Sequence, residues 1–202
     1  MSKVIVICNV TLDGVMQAPG RPDEDDRGGF VHGGWAVPYS ADAMGRVMAE
    51  GMGRGAAMLL GRRTYEDFAG VWPRQHDNPF TEVLNRLQKY VASTTLSEPL
   101  PWVNSTLLKG DAADAVADLK GNEPDQDLVV LGSGALIGSL RRCHLIDEFK
   151  LLIHPLVLGT GRRLFPDEGP VAALRLADSV STTTGVVIAT YHPANPRRQP
   201  AG

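Results

Sequence analysis

Lys3 to Val10 (KVIVICNV) is a nearly unbroken apolar run, the pattern of a strand covered on both faces. Thr11 to Tyr39 breaks that pattern: it is rich in Gly and Pro and holds the acidic run Asp23-Glu24-Asp25-Asp26. A loop of that length inside a compact domain is uncommon and often functional, for example as a lid; the acidic run reads as a solvated loop tip. Ala41 to Gly53 places Met44, Val47, Met48 and Met52 at helical spacing behind Ser40, a good N-cap, and the Met stripe reads as core packing. Ala56 to Leu60 is a second buried strand, and Arg62 to Val71 a helix that follows Gly61 directly.

Further along, Phe80 to Leu87 predicts a helix, Lys89 to Ser93 a strand, and Asp111 to Leu119 an Ala-rich helix with Asp111 at its start. Leu128 to Leu131 is a short apolar strand that runs through Gly132-Ser133-Gly134 into a helix from Ala135 to Arg142. Asp147 to Leu158 is the longest strand expected. Leu174 to Val180 and Gly185 to Tyr191 flank a Thr-rich turn and predict a terminal hairpin. Strands and helices therefore alternate until a hairpin closes the chain. That order predicts one α/β domain over residues 1–192, with a mostly parallel central sheet, helices on both faces and a C-terminal antiparallel hairpin. The Pro-rich segment 193–202 reads as a disordered tail.

Composition narrows the function classes. Of 202 residues, 43% are hydrophobic and 21% charged, enough for one sizeable core. A net charge of −3 gives no basic field that would favour nucleic acid or an anionic membrane. No apolar run approaches the roughly 20 residues of a membrane span, and Met1-Ser2-Lys3 enters a strand with no signal-peptide pattern. A cytoplasmic protein is the expectation. The two cysteines, Cys8 and Cys143, define no disulfide framework.

The residues themselves point to an anion. Gly61-Arg62-Arg63-Thr64 opens a helix whose first N–H groups have no intrahelical partner. Two cations and a hydroxyl beside those donors suit a nucleotide phosphate. They would also suit the solvated end of a surface helix, and this segment alone leaves both readings open. Ser93-Thr94-Thr95 and Gly132-Ser133-Gly134-Ala135 follow two further strands. In an open parallel sheet, ligands bind beyond the carboxyl ends of the strands, so three such turns could form one elongated nucleotide site.

Other chemistry lacks its pattern. Gly132, Gly134 and Gly138 miss the dinucleotide fingerprint G-x-G-x-x-G by one residue. The histidines His32, His76, His144, His154 and His192 have no metal-ligand spacing, so no metal is expected. Ser133 is not in a G-x-S-x-G elbow, and a Walker A sequence is absent.

Taken in order, these segments resemble the dihydrofolate reductase superfamily, and within it the branch containing the reductase domain of bacterial riboflavin biosynthesis. The resemblance covers nearly the whole chain. It rests on Thr11-Leu12-Asp13-Gly14, Gly61-Arg62-Arg63-Thr64-Tyr65, Val91-Ala92-Ser93-Thr94-Thr95-Leu96 and Leu131-Gly132-Ser133-Gly134. Leu145-Ile146-Asp147-Glu148, followed by His154-Pro155-Leu156-Val157-Leu158-Gly159-Thr160-Gly161 and Leu164-Phe165, is the part most specific to the riboflavin-type branch.

The resemblance implies NADPH and hydride transfer. By motif position, Arg62, Ser93 and Thr94 would face the adenosine 2′-phosphate, and Arg63 and Thr64 the pyrophosphate. The turn and helix start formed by Gly132, Ser133, Gly134, Ala135, Leu136 and Ile137 would pack against the pyrophosphate and the nicotinamide half. Val10, Asp13 and Gly14 would border the nicotinamide. An arginine with neutral donors also matches the chemistry of a phosphate dianion.

On the substrate side, Trp35-Ala36-Val37-Pro38 resembles the W-x-x-P segment of dihydrofolate reductases. There an acid two positions after the proline pairs with the pterin; here Ser40 holds that position and the first acid is Asp42. Two residues rotate a side chain by roughly 200° about a helix axis, which sets folate apart as a substrate. Asp13 and Asp42 are the candidate catalytic carboxylates, each with a structural alternative: a turn former and a first-turn helix acid. Trp35 and Tyr39 would stack on a flat heterocycle or anchor the loop to the core. The expectation is a homodimeric NADPH-dependent reductase of a small polar heterocycle, of the phosphoribosylamino-pyrimidinone type. A true dihydrofolate reductase and a non-catalytic NADPH-binding dimer are the alternatives.

Overall fold

In a computed structural model of the chain, residues 2–40, 45, 47, 50, 53, 55–75, 79–123, 125–166 and 171–194 are described. Eight strands form one sheet: β1 (Val4–Thr11), β2 (Ala57–Gly61), β3 (Lys89–Ala92), β4 (Ser105–Leu108), β5 (Leu128–Leu131), β6 (Glu148–His154), β7 (Leu174–Ser181) and β8 (Val187–Pro193). Their spatial order is β4-β3-β2-β5-β1-β6-β8-β7. Every pairing from β4 to β6 is parallel, and β8 pairs antiparallel with both β6 and β7. The expected fold class, a mostly parallel sheet closed by an antiparallel hairpin, is the one observed.

Period-two alternation along the central strands assigns the two faces. Val4, Val6, Cys8 and Val10 of β1 point into one core with Ala57, Leu59, Leu128 and Val130. Helices α3 (Ala112–Asn122) and α4 (Gly134–Arg142) cover that core with Val116, Leu136, Ile137 and Leu140. Ile5 and Ile7 point to the opposite core with Met58, Leu60, Val91, Val129 and Leu131. Helices α1 (Arg62–Val71) and α2 (Pro79–Arg86) cover this second face with Tyr65 and Leu84. Both faces of β1 are thus dry, as its unbroken apolar run requires.

Three details differ from the sequence expectation. β4 was not expected: Ser105-Thr106-Leu107-Leu108 is short and half-polar, and it forms because β3 offers it a parallel partner. β6 ends at His154 rather than Leu158, because Pro155 has no N–H to continue the ladder. The expected helix 41–53 lies almost wholly outside the described residues, of which Gly45, Val47 and Glu50 are helical. Elsewhere the expected elements stand within two or three residues: the helix expected to end at Leu119 runs on to Asn122, and Asp111 caps it by accepting the Ala113 and Asp114 N–H groups.

The segment after β1 has its own small core, built from Val15, Ala18, Phe30, Trp35 and Ala36. Buried Gln17 organises it: its amide donates to the Asp25 and Arg27 carbonyls at 3.1 and 2.9 Å and accepts the Arg162 N–H at 3.0 Å. Arg21 grips Asp67 of α1 through two bonds, at 2.6 and 3.3 Å. The acidic run is therefore more than a solvated tip. Asp25 pairs with Arg27 in close contact, and Glu24 caps the Gly20 and Arg21 N–H groups.

Candidate functional site

The connections from β1 and β5 leave in opposite directions. β1 leads toward β2 on the α1/α2 side, while β5 leads through α4 to β6 on the far side of β1. Adjacent strands whose connections part in this way open a crevice at their carboxyl ends, the usual ligand position in such sheets. The sequence-predicted turns meet there. Gly61 pairs with Ala92 in register, so Gly61-Arg62-Arg63-Thr64 lies beside Ser93-Thr94.

On the other flank, the Gly61 N–H donates to Ser133 Oγ at 2.9 Å, and the Ser133 N–H donates to Thr64 Oγ1 at 3.1 Å. Ser133 Oγ donates in turn to the Leu131 carbonyl at 3.0 Å. Two helix N-termini are therefore joined side by side. Neither N-cap residue, Gly61 or Ser133, caps its helix with a side chain, so among the described residues the first-turn N–H groups of α1 and α4 have no side-chain cap at this end of the sheet. Their dipoles add positive potential at one place.

The turn itself is tight. Gly132 has φ +55°, and a Cβ there would lie 3.3 Å from the Thr64 side chain. Ser133 is also left-handed, at φ 56°, a conformation that a non-glycine residue holds at a cost. A Cβ on Gly134 would fall 2.9 Å from Met16 Sδ, so Met16 of the long loop covers the start of α4. Ala135 is exposed, whereas Leu136 and Ile137 turn into the core.

At the outer end, an open cavity of about 580 Å³ is lined by Ser93, Thr94, Leu96, Ser97, Glu98, Leu107, Lys109 and Gly110. Ser93 Oγ accepts the Thr95 and Leu96 N–H groups and so shapes the turn that presents Thr94. Arg62 is half-buried and reaches Glu66, one turn along α1, at 3.1 Å; Arg63 is exposed.

At the inner end, Val10 is buried on the α4 side of β1. The turn after β1 is held by Asp13. One carboxylate oxygen accepts the Thr11 hydroxyl at 2.5 Å and the Leu158 N–H at 3.2 Å; the other accepts the Gly159 N–H at 2.8 Å. The Thr11 hydroxyl, and then the backbone donors, hold this carboxyl below its ordinary range. Gly14 completes the turn with φ +81° and accepts the Leu164 N–H. Asp13 thus ties the β1 turn to the turn after β6. Asp42 lies outside the described residues.

Trp35 is buried, with its indole N–H on the Gln17 carbonyl at 2.7 Å, and Tyr39 is half-buried. Both rings stand edge-on to His154, at centroid distances of 5.1 and 5.6 Å. His154 is fully buried and bonds Asn9 of β1 at 2.9 Å. Burial pushes its pKa down to about 4.

Sequence reasoning missed Asn9, His154, Met16 and Lys109. For two of them a signal existed: Asn9 continues the Ile5-Ile7 alternation of β1, and His154 the alternation of Leu152 in β6. That parity puts both on one face. The contacts of Met16 and Lys109 depend on loop paths that no local pattern encodes.

The geometry meets its relatives in the family comparison. The family model described as the RibD C-terminal domain matches residues 2–188. The chain belongs to the RibD C-terminal domain family. Among curated proteins, YyaP of Bacillus subtilis (strain 168), described as uncharacterized, is 32% identical over 143 residues, 67% of this chain and 72% of that one. A putative riboflavin biosynthesis protein from Shewanella sp. PV-4 has a similar solved structure, with TM-score 0.66 and 23% identity, covering 96% of this chain and 100% of the other. A pyrimidine reductase-like protein from Corynebacterium diphtheriae superposes with TM-score 0.64 at 12% identity, over 96% of this chain and 92% of the other. RibD of Acinetobacter baumannii superposes with TM-score 0.64 at 13% identity; this chain spans 96% of its own length and 58% of that longer one. These structural likenesses establish the fold. Among the described residues no group of His, Cys, Asp and Glu could hold a metal ion, and no helix is long and apolar enough to cross a membrane.

Proposed function

We propose that this RibD C-terminal-type protein is an NADPH-dependent reductase of a small polar heterocycle, of the aminopyrimidinone type handled in riboflavin biosynthesis. The observation that carries this reading is the joining of Gly61, Thr64 and Ser133, which sets two helix N-termini side by side at one end of the sheet. A pyrophosphate is an anion of the size and charge that such paired N-termini suit. Reduced nicotinamide, when bound, supplies the hydride.

The chain's own residues divide the remaining work. Arg63, Thr64 and the N–H groups that open α1 and α4 hold the pyrophosphate. Arg62, Ser93 and Thr94 take the 2′-phosphate beside the open cavity. Gly132 makes room for Thr64 and Gly134 for Met16, which keeps the start of α4 close against α1 beside the pyrophosphate. Val10 and the Asp13-Gly14 turn form the wall against the nicotinamide, with Asp13 as a positioning residue whose donors keep it ionised. Asp42 is the candidate proton donor. Trp35 and Tyr39 define the apolar side of the substrate pocket.

We also place the protein in the cytoplasm and assign it a homodimeric state. The hairpin supports the second assignment: β7 is an edge strand, with Leu176 and Val180 each 51% exposed. The open backbone of an edge strand is what invites pairing with a second copy.

The deciding experiment is a tryptophan-fluorescence titration with NADPH and NADH side by side. Micromolar NADPH affinity, with NADH at least about tenfold (about 1.4 kcal/mol) weaker, supports the assignment. Equal binding would remove Arg62, Ser93 and Thr94 from the 2′-phosphate. Tight NADPH binding without turnover of any pteridine or pyrimidinone would favour a non-catalytic cofactor-binding dimer, and high methotrexate affinity would favour a dihydrofolate reductase.

A further inference from the structure

His154 ends β6 at the carboxyl edge of the sheet, on the same face as Asn9, and its Nε2 lies 2.9 Å from Asn9 Oδ1. A carboxamide oxygen can only accept, so Nε2 carries the proton and Nδ1 is a bare acceptor. That Nδ1 is buried and meets no hydrogen-bond donor among the described residues. The two covering rings do not supply one. The Trp35 N–H is already directed to the Gln17 carbonyl, and both Trp35 and Tyr39 stand edge-on to the imidazole. Buried acceptors are almost always paired, and an exception calls for a partner.

We propose that His154 Nδ1 is a substrate-recognition acceptor: it takes an N–H of the flat heterocycle that enters this site. The inference rests on the reductase reading above and names the residue that sorts its substrates. The surroundings define the ligand class. A lone pair in an aromatic, water-excluding box repels an anion and has no charge to hold a cation. It suits an uncharged planar ring that carries a lactam N–H or an amino group. Tyr39 is the ring that moves to admit it: Trp35 is buried and anchored, whereas Tyr39 is half-buried with its backbone pinned through Thr184 Oγ1 at 2.7 Å. Asn9 is the positioning residue that fixes the tautomer.

The test is nitrogen NMR of histidine-labelled, NADPH-loaded protein titrated with 5,6-diaminouracil. The expected result is a saturable upfield shift of the His154 Nδ1 resonance while the proton stays on Nε2. His154→Phe keeps the ring contacts and removes the acceptor, so it should bind the probe about tenfold more weakly, with NADPH affinity unchanged within about twofold. An unmoved Nδ1 at saturating probe, no probe binding, or equal affinity in His154→Phe overturns the proposal; an ordered water as the sole partner of Nδ1 gives the first of these. If His154→Phe does not fold, the buried ring is assigned by its contacts to Trp35 and Tyr39, and the unaltered chain decides alone. The same titration without NADPH separates the two readings. A Nδ1 response with no NADPH affinity overturns the reductase and supports His154; NADPH affinity without a Nδ1 response does the reverse.

Discussion

Thr64 Oγ1 accepts the Ser133 backbone N–H at 3.1 Å, so a side chain in the first turn of α1 fixes the residue that opens α4. The bond spans two helices that follow adjacent strands, β2 and β5. Thr64→Val keeps the shape of the side chain and strands that N–H. The expected cost is about 1–2 kcal/mol of stability, together with roughly tenfold weaker NADPH binding as the two N-termini lose alignment. Thr64→Ser should retain both properties. Urea unfolding of the three proteins measures the first effect and fluorescence titration the second; a valine variant as stable as the parent would refute the joint.

Gly132 tests the same turn from the backbone. A residue with a Cβ at φ +55° pays about 1–2 kcal/mol for the left-handed conformation, and the new methyl would press on Thr64. Gly132→Ala should therefore lower the melting temperature by about 2–4 °C per kcal/mol in a chain of this size. Gly134→Ala meets the flexible thioether of Met16 instead. It should fold nearly as well while weakening NADPH, because the methyl stands at the start of α4. Melting curves with and without NADPH separate the two variants: Gly132→Ala moves both, and Gly134→Ala moves only the second.

Much of this region could be read from the chain, and the boundary of legibility has a physical basis. The strand-Gly-helix passage at 61–64 is encoded locally, by an apolar run, a residue free in φ and a helix-period pattern. What the sequence could not show is that Ser133 spends its hydroxyl on Gly61 and Leu131. That depends on β5 inserting between β2 and β1, a long-range choice. The same holds for Asp13, whose partners Leu158 and Gly159 lie far away in sequence. β4 escaped because its apolar content is too small to outvote its polar half without knowledge of β3. The acidic run escaped because Arg21, Asp67 and Gln17 come together only once the loop folds on itself.

In the proposed function Arg62 is shared between two demands, Glu66 and the 2′-phosphate. It pairs with Glu66 on an exposed helix face, a contact worth only a few tenths of a kcal/mol. A phosphate dianion outcompetes such a carboxylate. Arg62→Ala should thus cost NADPH at least about tenfold and leave NADH nearly unchanged. Glu66→Gln should release the guanidinium and tighten NADPH a few-fold, with the gain shrinking as salt rises. Equal losses for both cofactors in Arg62→Ala would place this residue away from the 2′-phosphate.

His154 predicts a pH dependence with a definite sign. Burial lowers its pKa to about 4 in the folded protein, whereas an unfolded histidine titrates near 6.5. Between those values the unfolded chain binds the extra proton, so stability rises with pH across the window and is lost as pH falls from about 6.5 toward 4. From pH 6.5 to 5 this one group should remove about 1–2 kcal/mol. His154→Phe cannot take up the proton in either state. Its unfolding free energy should therefore fall less steeply over that interval, although the variant loses the Asn9 bond at every pH. The quantity to measure is the difference between the two stability–pH curves, in which the other titrating groups cancel. Parallel curves would mean that His154 is protonated as readily in the folded chain as in the unfolded one, and that the imidazole is open to water.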